Sequence, residues 1–328
     1  MESIKQNTQK TRFFEIIPHN TNIDFVGMIK PAFFVSLALV LLSIGIIVMQ
    51  GGPRYGIDFV GGTLVQVRFN SPATPDQVRS AMAQVDGGDG ASVQRFGDEE
   101  GREFLINIPS SGSADSLEKL IESISSKFEE IFGADGFEVR RTEMVGPKVG
   151  KELREKGMLA VLLSLGGMLI YIWFRFELRF GIGAIIALAH DVAITLGALA
   201  VSGAAIDLPI IAALLTVVGY SVNDTIIVCD RIRENRRLMT RQPLAEIINV
   251  SINQTMSRTI LTSGTTLIAV VALYIVGGAV IHDFAFALLV GFTIGTYSSI
   301  YIASPLLILW ENLAARRKGP APQKGRAA

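Results

Sequence analysis

Asp224 lies inside an otherwise apolar stretch, Pro209 to Cys229, long enough to cross a bilayer, and Arg258 stands at the mouth of the next such stretch. A carboxylate near the middle of a spanning helix costs roughly 2.5 to 3.5 kcal/mol on insertion scales, so a chain that keeps one is expected to use it. Moving ions is the chemistry that needs such a group. Asp224 shares a helical face with Ala213, Val217 and Tyr220, and sits about 9 Å along a helix from Asp230 at the polar boundary. Arg258 shares a face with Gln254, Leu261, Thr262 and Thr265, and an antiparallel pairing of the two helices would let the charges meet. A carboxylate beside a guanidinium stays ionised, whereas one moved away from it in low dielectric takes up a proton. Asp224 is then the proton carrier and Arg258, which does not deprotonate, the fixed counter-charge. The plainer reading of the pair is a structural salt bridge.

His190 and Asp191 form a second polar station near the middle of another apolar stretch, on a face with Ala187, Ile194, Thr195 and Ala198. Imidazole titrates near neutral pH and relays protons; a hydrogen-bonded packing cluster is the alternative, and the residues leave both open. His282 and Asp283 read as solvated turn residues.

The elements that must position these groups are six apolar segments: Pro31 to Met49, Gly157 to Phe174, Gly181 to Gly203, Pro209 to Cys229, Thr259 to Ile281 and Phe284 to Trp310. With 328 residues, 49% hydrophobic and 18% charged, the chain has a mean hydropathy of +0.42, which reads as a polytopic α-helical membrane protein. The leader, 1–30, mixes acids with bases and no cleavage site follows, so helix 1, 31–49, is expected to be an uncleaved anchor. Cys229 is the only cysteine, which excludes an intrachain disulfide and a cysteine-held metal.

The segment 50–156 carries 18 acids against 13 bases, while the remaining basic residues fall in the leader, in every second connection and in the tail. By the positive-inside rule the termini are cytoplasmic and 50–156 is periplasmic. Its order of elements is βαββαβ: a strand at Thr63 to Phe69, a helix at Pro75 to Val85 capped by Thr74, strands at Ser92 to Phe96 and Glu103 to Ile108, a helix at Ser113 to Phe132, and a strand at Phe137 to Val145. That order predicts a ferredoxin-like α+β domain inserted between helices 1 and 2. It contains neither His nor Cys, and no enzyme is expected.

Residues 157–310 are expected to hold helices 2 to 6, with a basic cytoplasmic loop at 230–258 in which Leu244 to Met256 forms an amphipathic helix on the membrane surface. The tail, 311–328, is expected to be disordered. The Gly291 to Gly295 spacing, with Thr293, Thr296, Ser298 and Ser299, predicts close helix packing, internal or with another subunit. Pro305 suggests a kink near the end of helix 6.

Six runs in this order carry a resemblance: Tyr55 to Gly62, Trp173 to Glu177, Ala189 to Val192, Gly219 to Thr225, Asp230 to Asn235 and Asn253 to Thr259. Over nearly its whole length the chain resembles the SecF members of the SecD/SecF family of the bacterial Sec export machinery, within the resistance-nodulation-division superfamily. The resemblance implies pairing with SecD into a pseudo-symmetric twelve-helix body in the bacterial inner membrane. It also implies a proton-driven role in drawing unfolded preproteins from the SecYEG channel. Asp224 and Arg258 fall on the family's charged positions for proton passage; Asn223, His190 and Asp191 stand in the matching runs and are expected to join them in proton coupling. Gly56, Asp58, Gly61 and Gly62 belong to the motif linking helix 1 to the external domain; Val60 stands there in place of a commoner small polar residue. Protons are the expected coupling ion, and no cofactor, metal or nucleic acid is expected. Competing readings are a half-size lipid or drug exporter of the same superfamily, a non-transducing scaffold, and an intramembrane hydrolase, which lacks a convincing nucleophile and base.

Overall fold

A computed structural model describes residues 22–88, 90–96, 102–109, 114–175 and 178–318. Leader residues 1–21, the acid-rich turn at 97–101, Phe176 and Glu177 of the second motif, and tail residues 319–328 lie outside the described residues.

Helix α1 (Ile29–Met49) leads into a loop and a single helical turn, α2 (Ile57–Val60), from which the chain enters β1 (Gly62–Phe69). There follow α3 (Pro75–Met82), β2 (Ser92–Arg95), β3 (Glu103–Ile108), α4 (Ala114–Phe132) and β4 (Phe137–Val145). The four strands form an antiparallel sheet in the order β2-β3-β1-β4, the split βαβ arrangement of a ferredoxin-like domain. Alternation along β1 sends Val65, Val67 and Phe69 to one face, where they meet Phe104, Ile106 and Ile108 of β3. Val78 and Met82 of α3 and Ile124 and Phe128 of α4 close the same core, and each such side chain contributes about 1.5–3 kcal/mol on burial. Thr74 and Gln77 form a reciprocal cap that starts α3, with Pro75 at its first position. A bulge in β4 opposite Gln66 and Val67 leaves Arg140 extra, and its guanidinium reaches Glu103 of β3 at 2.8 Å.

The remainder is a helical bundle: α5 (Pro147–Arg175), α6 (Leu178–Ser202), α7 (Leu208–Leu238), α8 (Leu244–Val276), α9 (Ala279–Ser298), a π-helical segment (Ser299–Ala303) and α10 (Ser304–Lys318). Among the described residues, six helices are long and apolar enough to cross a membrane, with α9, the π segment and the start of α10 acting as one. α9 is the hub, packed against α6, α7 and α8, while α1 and α5 leave most of their apolar surface open. The close approach depends on missing side chains: a Cβ on Gly291 would overlap Val217, and one on Gly295 would press on Ser221. The small-residue spacing on α9 is therefore internal, seated on α7.

Three expectations are corrected here. The basic stretch 230–258 is not a loop: α7 continues to Leu238 and α8 begins at Leu244, leaving a connection of a few residues. The amphipathic segment at 244–256 does not lie flat, because its apolar face packs on α7. Ile248 and Ile252 share a core cluster with Ile232, and Asn235 donates to Ser251 Oγ at 2.8 Å. The tail is helical as far as Lys318, since α10 carries the sixth span through Trp310 without a break. Ahead of Pro305 the helix widens into the π segment, which supplies the irregularity the proline suggested.

Candidate functional site

Where α6, α7, α8 and α9 converge, two carboxylates are enclosed among hydroxyl groups. Asp191 on α6 is fully buried and accepts hydrogen bonds from Ser221 Oγ at 2.5 Å and Ser298 Oγ at 2.8 Å. His190 Nδ1 lies 2.9 Å from its other oxygen. The imidazole stacks on Tyr297, with ring centroids 6.3 Å apart, and its Nε2 is buried with no hydrogen-bond partner among the described residues.

Asp224 on α7 is also buried. Its Oδ2 accepts from Ser299 Oγ at 2.8 Å and its Oδ1 from Thr259 Oγ1 at 3.2 Å. About one turn nearer the ferredoxin-like domain, Tyr220 donates to Ser263 Oγ at 2.9 Å, and Ser263 pairs with Thr296 Oγ1 at 2.9 Å. Each buried carboxylate thus accepts hydroxyl donors from neighbouring helices, and a second group stands by each: His190 beside Asp191, and the charge of Arg258 acting on Asp224.

The expected Asp224–Arg258 pair is not closed by a direct hydrogen bond or ion-pair contact, although the charge of Arg258 acts on the Asp224 carboxylate from nearby. Arg258 is exposed and makes no ion pair among the described residues, while the next residue, Thr259, occupies the position beside the carboxylate. The reason is geometric: adjacent residues on a helix point about 100° apart, so Thr259 and Arg258 cannot both face α7. Asn223 is exposed and joins neither carboxylate, for the same reason.

At the domain end of the bundle, the glycine motif builds a second junction. Gly56 donates its N–H to Ile206 O at 2.7 Å, and Ile206 donates to Arg54 O at 2.7 Å, so a short parallel pairing ties this loop to the connection before α7. Asp58 Oδ2 accepts from the Leu208 N–H at 3.0 Å, and Asp207 Oδ1 from Ile210 N–H at 2.8 Å; together they cap the start of α7. Gly61 and Gly62 have φ of +74° and +143°, and a Cβ at Gly62 would meet Ile108 O at 2.6 Å. Burial pushes the Asp207 carboxyl up to about 6, helped by the nearby charges of Asp58 and Asp283.

Residues 124–313 match the family described as protein export membrane protein SecD/SecF, C-terminal, and residues 46–73 match the SecD/SecF GG motif. The chain is 52% identical over 299 residues to a protein translocase subunit SecF from Magnetococcus marinus, covering 91% of this chain and 94% of that relative. The chain belongs to the SecD/SecF family. A SecF from Vibrio alginolyticus is 47% identical over 90% of this chain and 92% of its own length. Among solved structures, the translocon-associated SecDF of Thermus thermophilus superimposes with a TM-score of 0.78 at 39% identity, over 90% of this chain. A SecDF in a super-membrane-facing form gives 0.66, also at 39% identity, over 93% of this chain. In both, this chain spans 40% of the SecDF length.

Within the SecD/SecF frame, the residues that sequence reasoning missed are the hydroxyls: Ser221, Thr259, Ser263, Ser298 and Ser299. Thr296, Ser298 and Ser299 had a visible signal as small polar residues on one helix, but spacing assigned them only to packing. What aims Ser298 and Ser299 at carboxylates is the crossing of this helix over α6 and α7, which no single helix reveals.

Proposed function

We propose that this chain is the SecF-type subunit of a Sec export accessory complex, and that with a SecD partner it uses the proton motive force to promote late steps of protein export. The reading is supported by the SecF relatives, which align over nearly their whole length, and by the chain spanning 40% of SecDF, which leaves room for a SecD half. The observation that carries the proton part is Asp224, a buried carboxylate in the helical core whose hydrogen bonds come from hydroxyls, which both donate and accept. The positive-inside pattern puts both termini in the cytoplasm and the ferredoxin-like domain in the periplasm, where the client emerges from a SecYEG channel. No ATP is available on that side. A proton descending about 100 mV releases roughly 2.3 kcal/mol, so several per cycle would drive movement of the domain.

In this reading Asp224 carries the proton, the His190–Asp191 pair is a second station, and Arg258 is the counter-charge. Exchange of Thr259 for Arg258 beside Asp224, by rotation or sliding of α8, would convert a hydroxyl-solvated carboxylate into an ion-paired one. The test is preprotein translocation into vesicles holding the whole complex, with and without an imposed proton gradient. Asp224→Asn is expected to remove the gradient-dependent part while the complex still assembles. Unchanged gradient dependence would leave a scaffold that anchors its partners without transducing energy.

A further inference from the structure

Ser298 and Ser299 are fully buried, adjacent in sequence, and stand where α9 gives way to the π-helical segment. Neighbouring helical residues diverge by about 100°, so this one pair reaches two carboxylates on two helices: Ser298 reaches Asp191 on α6 and Ser299 reaches Asp224 on α7. Each hydroxyl has one proton and two acceptors within reach. Ser299 Oγ lies 2.8 Å from Asp224 Oδ2 and 2.9 Å from the Thr296 carbonyl, while Ser298 Oγ lies 2.8 Å from Asp191 Oδ2 and 3.1 Å from the Gly295 carbonyl. A hydroxyl cannot donate to both at once. The Ser299 carbonyl is in turn the acceptor for Ser304 Oγ at 2.9 Å, five residues along.

We propose that Ser299 is the positioning residue that registers the charge of Asp224, its hydroxyl proton swinging between the carboxylate and the Thr296 carbonyl, while Ser298 ties the same joint to Asp191. When Asp224 is ionised, Ser299 donates to it. When Asp224 binds a proton, the carboxyl O–H donates to Ser299 Oγ and the serine proton turns to Thr296 O; the one added proton stays on Asp224. The change is delivered to the backbone of α9 at its junction with the wider turn, where the helical bonding is already irregular. Of the titratable or charged groups on the packed elements, those within about two turns of this joint are His190 and Asp191 on α6, Tyr220, Cys229 and Asp230 on α7, Arg258 on α8, and Tyr297 and Tyr301 on α9 and the π segment; the others on α7, α8 and α9 lie toward the helix ends. Among them, Asp191 is the one hydrogen-bonded to the serine next to Ser299. This inference rests on the proposed role of Asp224 as a titrating group.

The experiment is pH-difference infrared spectroscopy of the reconstituted complex, reading the carboxyl C=O band assigned to Asp224 by its loss in Asp224→Asn. Ser299→Ala is expected to move that band to higher frequency, as for a carboxyl that has lost a hydrogen-bond partner, and to lower gradient-driven translocation several-fold. Ser299→Thr, which keeps the hydroxyl, restores both, and Ser298→Ala leaves the Asp224 band in place because its hydroxyl serves Asp191. A band unmoved in Ser299→Ala overturns the role of Ser299 while leaving the proton reading intact. If no pH-dependent band disappears in Asp224→Asn, the underlying proton reading itself fails and this inference with it.

Discussion

The carboxylate of Asp58 accepts the backbone N–H of Leu208 at 3.0 Å, which fastens the glycine motif to the first turn of the helix that carries Asp224. Leu208 and Asp224 are sixteen residues apart on one unbroken helix, about 24 Å. A displacement of α7 along its axis therefore reaches the root of the ferredoxin-like domain through one hydrogen bond and the short pairing of Arg54 to Gly56 with Ile206.

Breaking that link should separate the domain from the helix without unfolding either. Asp58→Ala removes a capping acceptor and is expected to cost about 1 kcal/mol locally. Hydrogen exchange should quicken at the amides of Gly56, Ile206 and Leu208, and gradient-driven translocation should fall while the core amides of β1 and β3 stay protected. Unchanged exchange at Leu208 would contradict the role given to Asp58.

Acidity at the same junction gives a pH dependence with a definite sign. Asp207 is raised in the folded protein from 3.8 to about 6, so the folded state binds more protons than the unfolded state between those values. Stability contributed by this group is then full below pH 3.8, falls as the pH rises, and is lost above about 6. Asp207→Asn should match the parent in thermal midpoint near the acid end and exceed it above about pH 6. A constant difference across the range would mean that Asp207 does not titrate in this window.

The contact between α7 and α9 offers a packing test. Gly291→Ala places a methyl group against Val217 and is expected to destabilise the bundle by about 1–3 kcal/mol, read as a lower thermal midpoint in detergent. Val217→Ala in the same chain should recover part of the loss, since it opens the space the new methyl needs. Without recovery, the strain lies elsewhere.

Arg258 separates a structural role from a functional one. Because it is exposed and makes no ion pair among the described residues, Arg258→Gln should change the stability by no more than about 0.5 kcal/mol, leaving the thermal midpoint close to the parent's. Gradient-driven translocation should nonetheless drop. A marked loss of stability would restore the salt-bridge reading of the Asp224–Arg258 pair.

Much of the architecture could be read from residue order. The order βαββαβ between Thr63 and Val145 announced the ferredoxin-like unit, because the alternation and spacing behind each element are a local record of which face is buried. The depth of Asp224 was legible for the same reason. Its partners were not, since Ser299 and Thr259 reach it only through the crossing of three helices. Charge also misled: the arginines near Asp230 suggested a loop, yet helix continues through them because Ile232 on α7 and Ile248 and Ile252 on α8 hold each other beyond the apolar zone.

That mutual hold makes α8 a rod of 33 residues, about 50 Å, in a membrane whose oily layer is roughly 30 Å thick. Thr259, beside Asp224, lies near its middle, like the pivot of a see-saw. On the proposed proton role of Asp224, a small tilt set off at the buried acid would sweep both tips of the rod through several ångströms, and a partner at the Pro243 end would feel the change without ever meeting the proton.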